Sequence, residues 1–111
     1  MELDMATFEE LKVMSGEDFI GELIDTFLED APRLVDEMKS ALRADDADTF
    51  RRGAHSLKSN SATFGANHLA ELARELEMLG KEHRLAEAQS RLLPLEEALR
   101  LASTELKGLR S

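Results

Sequence analysis

The chain has 111 residues, and 14 Lys and Arg against 23 Asp and Glu give a formal net charge of −9. That is the length of one domain, and 42% hydrophobic residues suffice for a single core. With no Cys in the sequence, disulfide frameworks, thiolate metal sites and cysteine nucleophiles are excluded. So acidic a chain repels phosphate backbones and anionic lipid, which argues against nucleic acid and membrane surfaces as partners. The N-terminal MELDMATFEEL carries acids where a signal peptide carries bases, and no apolar run approaches the ~20 residues of a membrane span. The expectation is a cytoplasmic, monomeric protein.

Two Pro, six Gly and no Trp or Tyr, beside abundant Leu, Ala, Glu and Arg, make a helix-forming composition with no alternating β-branched stretch. The predicted class is all-α. Thr7 and Glu10 have the spacing of a capping box, which predicts a short helix over about 7–14 with Phe8, Leu11 and Met14 on one side. Ser15-Gly16 ends it. From Phe19 through Leu42 apolar residues recur at three- and four-residue steps, predicting one amphipathic helix over about 17–43. The apolar phase continues across Pro32, so Pro32 predicts a bend rather than a break. Asp45, followed by Asp46 and Asp48, is the expected N-cap of a helix over about 46–64, which Gly65 stops in a left-handed conformation. Leu69 to Leu79 predict a helix over about 67–80, and Leu85 to Leu106 one over about 84–107 with a bend at Pro94. Four long helices with short connections predict an antiparallel up-down-up-down bundle, the short first helix lying over one end.

The segment from Thr49 to Ala70 contains no Asp or Glu, yet holds Arg51, Arg52, His55, Lys58 and His68. On a helical wheel centred on His55, Arg51 and Lys58 lie about 40–60° to one side and Ser59 and Arg52 as far to the other. Phe50, Leu57 and Phe64 fall near the opposite pole, flanked by Gly53, Ala54, Asn60 and Ser61, which makes that pole the core side. His55 therefore points to solvent, either as a solvated surface histidine among stray basic residues or, as the electrostatics favour, as an imidazole nucleophile with cations placed to attract and hold a phosphoryl anion.

Ala54-His55-Ser56-Leu57-Lys58-Ser59-Asn60-Ser61-Ala62-Thr63-Phe64-Gly65-Ala66 resembles the signature of histidine-containing phosphotransfer (HPt) domains, roughly A-H-x-L-K-G-x-[SA]-x-x-x-G-[AL]. F-L-E-D-A-P from Phe27 to Pro32 and L-E-M-L-G from Leu76 to Gly80 extend the resemblance over nearly the whole chain. It implies a four-helix bundle whose exposed histidine takes a phosphoryl group from a receiver aspartyl phosphate and passes it to another receiver. On that basis His55 is the phosphoacceptor, Lys58 the cation near the phosphoryl oxygens, and Gly65 the turn that closes the histidine helix. Arg51 and Arg52 add charge stabilisation. Ser59 stands where the family usually has Gly; it either crowds the site or donates its hydroxyl to a phosphoryl oxygen. Receiver domains and a hybrid sensor histidine kinase are the implied partners, docking on the His55 face with Phe8 or Leu11 of the short first helix and the start of the second helix.

Other chemistries read weakly. His68 and His83 lack the i,i+4 pairing of a helical metal site, and no cofactor is expected. Ser56, Ser59 and Ser61 have no local acid to complete a hydrolase triad. No Gly-rich phosphate loop is present, so the chain should act as a carrier and not phosphorylate itself from ATP. Met14, Met38 and Met78 fit core positions. The alternative function is a helical-bundle module that binds a receiver or partner helix without being phosphorylated. Half of a dimeric histidine kinase is disfavoured, because a nucleotide-binding domain is missing.

Overall fold

A computed structural model describes residues 1–110 and measures 42 × 21 × 20 Å. Five α-helices follow one another: α1 (Met5–Ser15), α2 (Glu17–Arg43), α3 (Ala47–Thr63), α4 (Asn67–Lys81) and α5 (Leu92–Leu109). The four long ones form the all-α antiparallel bundle that the apolar spacing predicts, with α1 against one end. One apolar cluster runs through it, from Ile24, Phe27 and Met38 on α2 through Phe50 and Leu57 on α3 and Leu76 on α4 to Leu95 and Leu106 on α5. Phe27 and Phe64 meet with ring centroids 5.3 Å apart, joining α2 to the end of α3.

Several boundaries differ from expectation for identifiable reasons. Asp4, not Thr7, caps α1: its carboxylate accepts from the Ala6 N–H and from the Thr7 hydroxyl, so the helix begins two residues earlier. Asp46, not Asp45, caps α3 by accepting from the Thr49 N–H, while Asp45 takes the left-handed turn at φ 54. Helix α4 runs one residue past Gly80, and His83 at φ 56 makes the reversal after it. Residues 85–91 form two short 3₁₀ turns, and α5 starts at Leu92. Pro94 thereby falls in the first turn of α5, where a missing N–H costs nothing, instead of bending a longer helix. Leu85 and Ala88 are nevertheless buried, so the apolar spacing there marked core contacts correctly but not helix type.

Pro32 lies within the single helix α2 and faces solvent. The apolar phase carries on through it because Ala31, Leu34 and Val35 turn toward the core while Pro32 does not. Of the three methionines assigned to the core, Met38 is buried, whereas Met14 and Met78 are 84% and 40% exposed. Phe19, part of the predicted α2 stripe, is also half exposed. Met14 and Phe19 flank the Ser15-Gly16 turn, where a helix end leaves no neighbour to cover them.

The turn between α3 and α4 is fastened by the N-terminal residues. Gly65, at φ +80, puts its carbonyl within 2.8 Å of the Asp4 N–H, and Leu3 pairs with Ala66 in an isolated antiparallel bridge. A Cβ at Gly65 would lie 2.8 Å from the Asp4 carbonyl oxygen, so glycine is required there by both dihedral and space. The Glu105 carboxylate of α5 completes the clamp by accepting from the N–H groups of Glu2 and Leu3.

Candidate functional site

Helix α3 buries Phe50, Gly53, Ala54, Leu57 and Ser61, which turns its opposite face, with His55 in the middle, to solvent. The His55 side chain is 56% exposed. Ser61 is fully buried and its hydroxyl has no partner among the described residues, as expected of a packing residue rather than a reactive one.

The exposed histidine is not unattached. Its Nδ1 lies 2.7 Å from Oε2 of Glu77 on α4, and the other carboxylate oxygen, Oε1, lies 2.7 Å from Nζ of Lys58. Glu77 is only 16% exposed. Burial pushes its carboxyl pKa up, but the hydrogen bonds from Lys58 and His55, with their charges, outweigh burial and hold it below the ordinary glutamate value. The group is therefore ionised at neutral pH and can only accept hydrogen bonds. It follows that Nδ1 carries the ring hydrogen. In the neutral imidazole the lone pair is then on Nε2, the ring nitrogen on the side away from the carboxylate.

Glu77 is the residue that the sequence reading missed. The acid-free stretch from Thr49 to Ala70 marks α3 correctly, but the counter-charge comes from the neighbouring helix. The available signal was Glu77 within L-E-M-L-G, noted there only as part of a helix pattern. In an antiparallel α3–α4 pair joined by a three-residue turn, position 77 falls opposite position 55, so the juxtaposition is a matter of register.

Lys58 is beside His55 on the chain of contacts, sharing Glu77 with it. Arg51 and Arg52 are on the expected side of α3, yet both guanidinium groups are engaged by Asp48: Arg51 Nη2 at 2.9 Å from Oδ1 and Arg52 Nη2 at 3.1 Å from Oδ2. Their hydrogen bond and charge hold the Asp48 carboxyl below its usual pKa. Ser59 is exposed, one turn along from His55, and its backbone carbonyl accepts from the Thr63 hydroxyl. Phe8 is 2% exposed and belongs to the core, because α1 turns it inward against the bundle, so it offers no surface to a partner. Leu11 is partly buried against the same core. The exposed apolar side chains near α1 are instead Val13, Met14 and Phe19. His68 and His83 are exposed, and no group of metal-ligating side chains occurs among the described residues. No described helix is long and apolar enough to cross a membrane.

A solvent-facing histidine at the middle of one helix of a four-helix bundle, with a lysine one turn on, is the architecture of a phosphotransfer domain. The chain belongs to the Hpt domain family: the model of that domain matches residues 22–108. Proteins of this kind are phosphocarriers of phosphorelays rather than catalysts. The fold is similar to the crystal structure of histidine-containing phosphotransfer protein B (HptB) from Pseudomonas aeruginosa PAO1, with 30% sequence identity and a TM-score of 0.93. That alignment covers 98% of this chain and 94% of the other. No curated protein sequence matches the chain.

Proposed function

We propose that this chain carries a phosphoryl group on Nε2 of His55, taking it from the aspartyl phosphate of one receiver domain and giving it to the aspartate of another. The observation that carries the proposal is the ion pair that holds His55 by Nδ1 and leaves Nε2 free on an exposed helix face. In the transfer, the Nε2 lone pair forms the N–P bond as the acyl O–P bond of the donor breaks and its carboxylate leaves. The proton stays on Nδ1, so positive charge develops on the ring, and Glu77 is already positioned to stabilise it without reorganisation. Transfer onward reverses these steps.

Lys58 supplies a cation that can turn from Glu77 to the phosphoryl oxygens once they arrive. Arg51 and Arg52 act at longer range, since Asp48 holds both. Ser59 is small enough to leave room beside the imidazole. The receiver brings the Mg²⁺ and the acidic pocket that phosphoryl transfer requires, and this chain contributes the nucleophile and its orientation. Docking uses the His55 face with Leu11 and the exposed Val13, Met14 and Phe19 as a modest, transient apolar contact. A cytoplasmic monomer that meets receiver domains and a hybrid sensor histidine kinase fits this role.

The test is incubation of the purified chain with a panel of phosphorylated receivers and, in parallel, with ATP and Mg²⁺. Acid-labile label from at least one receiver and none from ATP is the expected pattern. Label from ATP in a contaminant-free preparation, or none from any receiver, overturns the proposal.

A further inference from the structure

Gly80 is buried where α4 crosses α3, and a Cβ there would lie 3.1 Å from the Arg51 Cβ and 3.2 Å from both the Arg51 Cα and its backbone nitrogen. Two of those three atoms are main chain and cannot swing aside. The helices are therefore in backbone contact at this crossing, and they run antiparallel. One turn along α3 from Arg51 is His55; one turn back along α4 from Gly80 is Glu77. The close approach at 51 and 80 and the ion pair at 55 and 77 thus occupy successive turns of the same helix pair.

We propose that Gly80 is a positioning residue for phosphotransfer: by letting the α4 backbone touch α3 at Arg51, it brings the Glu77 carboxylate within reach of His55 Nδ1. The consequence for transfer rests on His55 being the acceptor, but the positioning itself does not. Ordinary carbon–carbon contact is about 3.5–4.0 Å, so a methyl group at position 80 is too close to the Arg51 backbone and must part the helices by about a few tenths of an ångström. One turn away the same separation stretches the 2.7 Å Nδ1···Oε2 contact toward about 3.0 Å, which turns a short charge-assisted contact into an ordinary, weaker hydrogen bond. Glutamate is already the longest acidic side chain, so no natural acid restores the reach. Gly108, exposed near the end of α5, has nothing within 4 Å of its Cβ position, so the same glycine-to-alanine change there meets no neighbour.

The experiment measures the ring tautomer of His55 by ¹⁵N NMR in alkaline buffer on unphosphorylated protein, for wild type, Gly80→Ala, Glu77→Ala and the double variant. All four are made in a Gly108→Ala background, whose better helix propensity helps to preserve the folded population. The tautomer is read at a temperature where circular dichroism shows all four proteins folded, so the comparison reports on the native form. The expected result is that Gly80→Ala shifts the tautomer in the same direction as Glu77→Ala but by less, and that the double variant loses no more than Glu77→Ala alone. Transfer from a phosphorylated receiver should fall in both single variants, less in Gly80→Ala than in Glu77→Ala. A Gly80→Ala protein with the wild-type tautomer and lowered stability only, or with an effect additive to that of Glu77→Ala, overturns the proposal. Absence of label in the wild type refutes His55 as acceptor and leaves the tautomer comparison to decide the role of Gly80.

Discussion

Removing Glu77 is the most informative single perturbation, because its carboxylate holds both His55 and Lys58 at 2.7 Å. A hydrogen bond to a charged group contributes about 1.5–3 kcal/mol. The imidazole is more than half exposed, which screens the interaction and argues for the lower end or slightly less. About 1.4 kcal/mol is a factor of ten in rate, so Glu77→Ala should slow transfer to His55 roughly tenfold. Glu77→Gln keeps an oxygen that accepts from Nδ1–H but loses the charge that offsets the developing imidazolium, and should slow it less. The assay is rapid-quench transfer from a phosphorylated receiver, with the ring tautomer read in parallel. There is also a pH signature. The folded-state pKa of Glu77 is depressed, so its stabilisation is fully present above the ordinary glutamate value and is lost as pH falls through the depressed folded value. Urea unfolding between neutral and acid pH should therefore show a steeper loss for wild type than for Glu77→Gln. Equal transfer rates in all three proteins, together with equal pH slopes, would refute the role given to Glu77.

Lys58→Ala should slow transfer roughly tenfold with the fold intact, and should raise the Glu77 pKa by removing one of its cations; unchanged kinetics would make Lys58 a bystander. Ser59→Gly should speed transfer or widen the range of receivers at a stability cost of roughly 0.5 kcal/mol if the side chain crowds the site. Faster hydrolysis of phospho-His55 in that variant would assign the hydroxyl to the phosphoryl group instead, and no change in either would make Ser59 neutral. Gly65→Ala forces a side chain into the left-handed region at φ +80 and toward the Asp4 carbonyl oxygen. It should cost at least about 1–2 kcal/mol and lower the melting temperature by roughly 10 °C, read by circular dichroism.

The apolar spacing carried the architecture well where burial is one-sided. Helix α2 was legible through Pro32 because the buried residues keep their spacing on both sides of an exposed proline. Boundaries were less legible, since adjacent acids compete for a cap: Asp4 and Asp46 win over Thr7 and Asp45 by geometry that spacing does not encode. Residues 85–91 retain core-facing leucine and alanine but not an α-helix, because Pro94 is best accommodated in a first turn. At the site, His55 and Lys58 were visible as one face of one helix. Glu77 was not, because a scan along the chain sees charges within a segment and not those a neighbouring helix delivers. Phe8 was assigned to docking from its place on α1, but a helix lying over a bundle end must bury something, and Phe8 is what it buries.

The central claim is that His55 alone receives the phosphoryl group. The most direct measurement is transfer of label from a phosphorylated receiver to wild type and to His55→Gln, with the labelled residue mapped by mass spectrometry under alkaline conditions that preserve phosphohistidine. The account predicts one acid-labile phosphoryl group on His55 in wild type and none in the variant. Label that persists in His55→Gln, or that maps to His68, His83 or a serine, would contradict it.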